Sequence, residues 1–450
     1  MKPRDATGLV VYVETYGCQM NEYDSELVRA ILRDGGFALA TAPESADVIL
    51  LNTCAIREHA HAKIYGRLHE LRRLRSNNPR LLVGVLGCMA QNLKSDLLRA
   101  GPGVDLVAGP DSYKRLPGLI REVAGSGEKG LEIDLSEYET YSDVYPERVP
   151  GVNAWIACMR GCDNFCTFCV VPYTRGRERS RSPESVVEET RRLASQGFKQ
   201  VTLLGQNVNS YAYEGADFAD LLLAVAEVEG IRRVRFTSPH PKDFPRKLLR
   251  AIAAQPKLCK QIHLPLQAGN DRVLESMRRT YTRREFLDLV DEIRAAIPDV
   301  CLSTDVICGF PTETDVEFDD TLEVMERVEF DSAFTFKYSE RKNTIAQRKV
   351  PDDVPEAVKS ERLGRLNELQ KALSLRRNRA WVGRRVEVLL EGPSRKSPDD
   401  LLGRDDGNHG VVVPSGDLHA GDLVPVDVVA AAAHTLIGRP VLERLPAPAR

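Results

Sequence analysis

The segment Ala154-Trp-Ile-Ala-Cys158-Met-Arg-Gly-Cys162-Asp-Asn-Phe-Cys166-Thr-Phe-Cys169 passes from a short apolar run straight into a C-x3-C-x2-C triad. Ala154–Cys158 reads as a buried strand, and the triad opens just beyond its end. Thiolates are soft ligands that suit zinc or iron–sulfur clusters. A closed structural zinc site takes four ligands, whereas this spacing supplies three, with no histidine beside them. Three thiolates on a four-iron cubane leave one iron without a protein ligand, open to a substrate or cofactor. A zinc loop completed by a distant residue is the competing reading, and the tight triad at a strand end argues against it. Cys158 lies four residues before Cys162. A fourth thiolate would close the site, so Cys158 is read as strand packing.

Downstream, strand-like and helix-like segments alternate. Strands are expected at Gln200–Leu204, Arg233–Thr237, Gln261–Leu264, Cys301–Cys308 and Ser332–Lys337. Helices are expected at Pro183–Ser195, Phe218–Val228, Pro245–Ala254, Arg283–Ala296 and Asp315–Val328. Six βα units without a reversal predict an open or partial (β/α)6 barrel, with its active site at the carboxyl ends of the strands.

Upstream, strands at Leu9–Thr15, Asp47–Asn52, Leu81–Gly87 and Val104–Ala108 alternate with helices at Glu22–Asp34, Ile56–Arg75 and Gln91–Arg99. That order predicts a doubly wound parallel sheet. The polar, Gly/Glu-rich passage Gly125–Pro150 reads as a linker with one short strand at Gly130–Leu135. After the barrel, a charged helix over Pro355–Ala380 precedes five short strands: Val386–Glu391, Leu401–Arg404, Gly410–Val413, Leu423–Val429 and Thr435–Pro440. These predict a small β-barrel. An α/β multidomain chain results, with domains at residues 8–124, 148–379 and 380–445 and a linker at 125–147.

Composition bounds the function classes. With 450 residues, 42% of them hydrophobic, several cores can be buried without disulfide staples. No run approaches the ~20 apolar residues of a membrane helix. Met1 to Gly8 carries charges and no apolar core of a secretory signal, so a cytoplasmic location and no membrane partner are expected. Lys+Arg 62 against Asp+Glu 65 rules out a globally basic nucleic-acid coat but leaves room for a local basic groove. No coiled-coil heptads are evident, and a monomer is expected. Ten cysteines in a reducing compartment point to metal binding or catalysis rather than disulfides.

Cys18, Cys54 and Cys88 are distant in sequence, yet each follows directly on an expected strand. In a parallel sheet the carboxyl ends of strands line one edge, where ligands bind. The three thiols therefore converge on a second triad, with Gly17 and Gly87 allowing a close turn. Cysteine also serves as a small buried hydrophobe, but three at equivalent strand ends favour a site. Cys259, Cys301 and Cys308, like Cys158, are read as core packing. His240 and His263 fall at strand ends near the cavity, where structural and catalytic roles are balanced.

The triad spacing, the Phe before its last Cys and the barrel resemble the radical S-adenosylmethionine (SAM) superfamily. With the three-Cys N-terminal block and the terminal barrel, the chain resembles the methylthiotransferases over nearly its full length. Five phrases resemble the branch that acts on N6-isopentenyladenosine in tRNA. They are Thr15-Tyr-Gly-Cys-Gln-Met-Asn21, Gly161-Cys-Asp-Asn-Phe-Cys-Thr-Phe-Cys-Val-Val-Pro-Tyr-Thr-Arg-Gly176, Leu204-Gly-Gln-Asn-Val-Asn-Ser-Tyr211, Arg235-Phe-Thr-Ser-Pro-His-Pro241 and His263-Leu-Pro-Leu-Gln-Ala-Gly269. Branches acting on threonylcarbamoyladenosine or on a ribosomal-protein aspartate rank behind it. A non-catalytic iron–sulfur RNA-binding protein is the alternative of another class.

The resemblance implies two 4Fe-4S clusters, an auxiliary one on Cys18, Cys54 and Cys88 and a radical SAM one on Cys162, Cys166 and Cys169. It implies two SAM molecules per turnover, one as methyl donor and one as radical source, with sulfur from the auxiliary cluster. The product gains a methylthio group at C2 of the adenosine at position 37, in the anticodon stem-loop. An electron donor of flavodoxin or ferredoxin type and a sulfur donor are implied partners, and the terminal barrel is an RNA-binding TRAM domain. Both open irons must then face one cavity, so the first sheet's edge packs on the barrel mouth. SAM contacts are expected from Phe168, Gly205, Gln206, Asn207, Ser238 and Asp305.

Four arginines crowd positions 175 to 181, and the charged helix holds nine basic residues between Lys359 and Arg385. Local basic excess in a nearly neutral chain reads as an RNA footprint, with Arg175, Arg177, Arg179, Arg376, Arg377 and Arg379 expected to meet phosphates.

Overall fold

The computed structural model describes residues 8–55, 58–100 and 103–441. Its first domain is a six-stranded parallel sheet in the order Ala38–Leu39, Val10–Tyr16, Val48–Thr53, Leu82–Gly87, Leu106–Ala108, Gly130–Glu132. Val48–Thr53 and Leu82–Gly87 are buried at every position, as expected of central strands covered on both faces. Helices Gln19–Asp34 and Leu116–Ser126 cover one face and Glu58–Asn77 the other. Ile56 and Arg57, where the second helix was expected to begin, lie outside the described residues.

Two expectations for this domain change. The helix foreseen at Gln91–Arg99 is two short helices, Cys88–Leu93 and Ser95–Ala100, separated where Lys94 takes φ +51. The stretch 125–147 is not a free linker. The short strand expected there is present as Gly130–Glu132, and it pairs with Leu106–Ala108 as the sixth strand. Tyr141 is wholly buried; its hydroxyl donates to the Pro110 carbonyl at 2.9 Å and accepts from the Tyr113 amide at 3.0 Å. Polar composition suggested a linker, but one buried aromatic ring fastens the strap to the domain.

Six parallel strands form the central domain in two sets of three: Asn153–Ala157, Gln200–Leu204 and Arg233–Phe236, then Gln261–His263, Cys301–Cys308 and Ser332–Lys337. A parallel bridge between Val234 and Leu258 joins the sets, and the result is the partial barrel. Helices Pro183–Ser195, Arg283–Ala296 and Asp315–Val328 fall where the periodicity put them. Each opens on a cap: Ser182, and the reciprocal pairs Thr282/Glu285 and Thr314/Glu317. On the last strand, Thr335 donates to Asn367 and Lys337 pairs with Glu356, both on the long helix. Phe334 and Phe336 therefore point the other way, into the barrel, where they are 57% and 43% exposed.

Helix Glu356–Arg379 straps the central domain and leads into a closed barrel of strands ordered Arg385–Ser394, Ser397–Arg404, Gly410–Pro414, Leu436–Pro440, Leu423–Ala431. The barrel docks through Arg233 and Arg235, buried guanidiniums that donate to the carbonyls of Arg404 and Glu387 and of Asp405 and Asp406. The basic helix is largely neutralised from within. Arg362 sits on Glu313 and Asp315, Arg365 on Asp319, Arg376 on Glu329 and Arg377 on Asp331. Arg377, expected to meet phosphate, thus answers the acidic face of the domain beneath; Arg376 pairs with Glu329 yet stays exposed, as does Arg379. Among the described residues, no helix is long and apolar enough to cross a membrane.

Candidate active site

Strand register builds the first triad. Tyr16 lies opposite Thr53, and Thr53 opposite Gly87, so the residues that follow emerge at one edge. Asn21 and Asn52 tie that edge together. The Cys18 thiol donates to Asn21 Oδ1 at 3.4 Å, Asn21 Nδ2 donates to Asn52 Oδ1 at 3.1 Å, and Thr53 Oγ1 donates to the Leu86 carbonyl at 2.7 Å. Gly87 turns at φ +86, where a Cβ would meet Asn52 Oδ1 at 2.4 Å. Cys18 and Cys54 are hydrogen-bonded, which brings the Cys18 thiol down to about 6 against the opposing effect of burial, with Arg175 adding to the fall. Burial raises Cys88. Cys18 and Cys54 thus touch, and Cys88 lies near enough for Cys18 to act on it electrostatically.

The second triad sits on a loop pinned from several sides. The Gly161 amide donates to Gln206 Oε1 at 2.6 Å, the Cys162 amide to the Gly176 carbonyl at 3.1 Å, and the Thr167 amide to the Met277 carbonyl at 3.0 Å. The Val171 amide donates to Cys169 Sγ at 3.4 Å, and Arg279 Nη1 to Cys166 Sγ at 3.3 Å. Burial pushes the Cys162 thiol up to about 11 and raises Cys169 as well, so these thiols keep their protons until a metal displaces them. Cys158 is fully buried in the central core and donates to the Leu204 carbonyl, as a packing residue should. Gly161 adopts φ +81, and a Cβ there would lie 1.9 Å from the Arg177 carbonyl. Gly161→Ala is expected to displace the loop and lower reconstituted iron by roughly half, one cluster of two, while the first triad still loads. Iron at the wild-type level in that variant would refute the argument.

The two triads meet through the short helix Val171–Arg175, which packs on Cys88–Leu93. Val170 touches Cys88, and Arg175 hydrogen-bonds toward the same thiol. Here the arginine-rich phrase finds its role. Arg175 and Arg160 both reach Asp24 at 2.7 Å, and all three are buried. Arg179 holds Asp111 with two contacts at 3.0 and 3.1 Å, and Arg181 holds Glu189 at 2.5 Å. Arg175 and Arg179 therefore do not face solvent, contrary to their reading as phosphate contacts. They bind the barrel's first loops to the first domain's acids. Arg177 is the exposed member, 2.9 Å from Asp163.

The remaining expected residues ring the strand ends. Phe168 is half-buried against the central core. Gly205 lies directly under Met159, and Gln206 anchors the cluster loop. Asn207 is buried; its Nδ2 donates to Asp243 and Glu178, while its Oδ1 has no partner among the described residues. Ser238 adopts φ +60, and its carbonyl accepts from Val208. Asp305 meets His263 Nε2 at 3.3 Å, and Ser303 Oγ lies 3.0 Å from His263 Nδ1. His240 packs edge-on to Tyr281 and stays neutral, its imidazole lowered to about 2 by burial and by Arg279. Sequence reasoning assigned nothing to Gln267, which is buried at φ +68 with its Oε1 unpartnered among the described residues. Its place after the fourth strand was the available signal.

Two sets of three thiols, a buried guanidinium at each, and two unpartnered buried amide oxygens suit iron–sulfur clusters and a polar cofactor bearing N–H donors. Comparisons with known proteins agree. A model of the Radical SAM superfamily matches residues 156–325, one described as Uncharacterized protein family UPF0004 matches 10–109, and one of the TRAM domain matches 379–441. The tRNA-2-methylthio-N(6)-dimethylallyladenosine synthase of Porphyromonas gingivalis is 48% identical over 440 residues, covering 96% of this chain and 95% of that protein. The synthase of the same name from Chloroherpeton thalassium is 48% identical over 430 residues, covering 95% of each. Among solved structures, the radical S-adenosylmethionine methyltransferase TsrM from Kitasatospora setae, with cobalamin and a 4Fe-4S cluster bound, aligns at TM-score 0.58 and 15% identity. That alignment covers 76% of this chain and 77% of that one, and it speaks to the fold alone.

Proposed function

Since the chain belongs to the radical SAM methylthiotransferase family of the tRNA-2-methylthio-N(6)-dimethylallyladenosine synthases, we propose that it adds a methylthio group to C2 of N6-dimethylallyladenosine (equally called N6-isopentenyladenosine) at position 37 of tRNA. The observation that carries this is the junction of two thiol triads through one short helix, since sulfur donor and radical source must act on one nucleoside. Cys162, Cys166 and Cys169 would hold a cluster that supplies the reducing electron for SAM cleavage, and Cys18, Cys54 and Cys88 one that supplies the sulfur.

The chain's own residues position these parts. The Gln206 side-chain Oε1 and the Gly176 carbonyl hold the cluster loop closed by accepting from the Gly161 and Cys162 amides. Asn207 Oδ1 and Gln267 Oε1 are buried acceptors suited to the SAM ammonium, with Phe168, Gly205, Ser238 and Asp305 completing the SAM-facing rim. Phe334 and Phe336 give the barrel an apolar wall that suits the dimethylallyl group. Arg177, on the cluster loop, and Arg376 and Arg379, on the helix that leads into the TRAM barrel, are exposed cations available to tRNA phosphates. A one-electron donor of flavodoxin or ferredoxin type and a sulfur donor are the partners the chemistry requires; the protein works as a cytoplasmic monomer.

Nucleoside mass spectrometry after anaerobic turnover tests this, with reconstituted protein, SAM, a reductant and tRNA bearing N6-dimethylallyladenosine. Gain of one methylthio group on that nucleoside is the expected result. SAM consumption with the nucleoside unchanged would redirect the assignment to threonylcarbamoyladenosine or to a ribosomal-protein aspartate. No 5′-deoxyadenosine at all would leave only the non-catalytic reading.

A further inference from the structure

Arg279 is a buried cation without a carboxylate. Its side chain follows the short helix Asp271–Ser276 and is 9% exposed. Nη1 donates to Cys166 Sγ at 3.3 Å, Nε to Tyr281 Oη at 3.1 Å, and Nη2 to the Pro265 carbonyl at 3.5 Å. Among the described residues no Asp or Glu forms an ion pair with it. The other buried arginines around the two triads, Arg148, Arg160, Arg175, Arg179 and Arg181, all sit on carboxylates. A guanidinium cannot shed its proton in a protein. Taking such a charge out of water requires an opposite charge close by, and among the described residues the group placed to supply it is Cys166, once its sulfur is a cluster-bound thiolate.

The contact is held in place. Tyr281 Oη donates to the carbonyls of Pro265 and Leu266 at 2.8 and 2.9 Å, which fixes the oxygen that receives Arg279 Nε. The segment carrying Arg279 also fastens the cluster loop: Thr167 Oγ1 donates to the Ser276 carbonyl at 2.9 Å, and the Thr167 amide to Met277. His240, the neighbouring titratable ring, is neutral and adds no charge to the balance.

We propose that Arg279 is a positioning residue that stabilises the reduced form of the cluster on Cys162, Cys166 and Cys169, raising its reduction potential through charge and an N–H···S bond. Hydrogen bonds to cluster sulfurs and local charge are known levers on such potentials. The cluster gains one negative charge when it accepts an electron from an external one-electron donor, and the fixed guanidinium favours that state. The proposal rests on reading the triad as the ligand set of a 4Fe-4S cluster.

The test is an anaerobic potentiometric titration of the fully reconstituted chain, followed by the electron paramagnetic resonance signal that changes on adding SAM, which separates this cluster from the auxiliary one. Arg279→Gln should lower the reduced-to-oxidised ratio at fixed potential about tenfold, a midpoint about 59 mV more negative. Arg279→Lys, which keeps the charge, should stay within about threefold of wild type, or about 30 mV. A Gln variant with wild-type iron and an unchanged midpoint overturns the proposal. Should the Gln variant lose iron, the Lys variant decides: retained iron and midpoint uphold a charge role, and loss of both overturns it. If the wild-type chain gives no SAM-sensitive signal, the cluster reading itself fails, which is a separate result.

Discussion

Cys54→Ala abolishes methylthio transfer and leaves 5′-deoxyadenosine release close to wild type. The expected separation is large, a loss of at least about a hundredfold in product against a change of about threefold or less in SAM cleavage. Cys54 follows Thr53 at the aligned strand ends and hydrogen-bonds to Cys18. Removing it therefore dismantles the first triad, whereas the second keeps its own loop, pinned by Gln206, Gly176 and Met277. Reconstituted iron should fall by about half, one cluster of two. Cys162→Ala makes the control, losing both activities. Chromatography of 5′-deoxyadenosine beside mass spectrometry of the nucleoside gives both readouts from one reaction. Wild-type product formation by Cys54→Ala would remove the first triad from the chemistry.

Asp24→Asn loosens the seam between the first two domains. The carboxylate carries two buried guanidiniums, Arg160 and Arg175, each at 2.7 Å. The amide preserves shape and removes the charge, leaving two buried cations unanswered. Breaking a buried pair in this way costs about 3–5 kcal/mol. For a cooperative unit of roughly 150–250 residues, about 2–4 °C of melting temperature accompanies each kcal/mol, so a first-transition shift on the order of 10 °C is expected. The first transition is the relevant one, because a multidomain chain does not unfold in two states. Burial alone would raise the Asp24 carboxyl, but Arg175 and Arg160 outweigh it and hold it below the ordinary carboxylate value. The contribution is thus fully present above the unfolded carboxylate range and is lost as pH falls through the depressed value. A calorimetric transition within about 2 °C of wild type, under about 1 kcal/mol, would show that the two arginines find other partners.

Element order, the two cysteine triads and the capped helices of the barrel were legible because each is written in local spacing. Strand ends in a parallel sheet converge by geometry, so Cys18, Cys54 and Cys88 were readable together although far apart. Charge was the illegible part. Arg175, Arg179 and Arg377 look alike in sequence whether they meet a phosphate or a buried carboxylate, and their partners Asp24, Asp111 and Asp331 lie at separations no periodicity encodes. Tyr141 was missed for the same reason, as one ring in a polar stretch packs against residues contributed by another part of the chain. Arg279 carried no motif; only its surroundings, which among the described residues offer it no ion-paired carboxylate, mark it out.

The seam at Asp24 also sets an order of events during synthesis. Its partners lie 136 and 151 residues further along the chain. At about 5–20 residues per second, the ribosome needs on the order of ten seconds or more to deliver them. Throughout that interval the nascent first domain presents Asp24 to water and its cysteine edge uncovered. Arg175 arrives on the helix that later abuts Cys88, so closure of the seam and shielding of the first triad are one event. Until then Cys88 lacks its cover, whereas Cys18, half-buried even in the finished protein, stays within reach of incoming iron and sulfide.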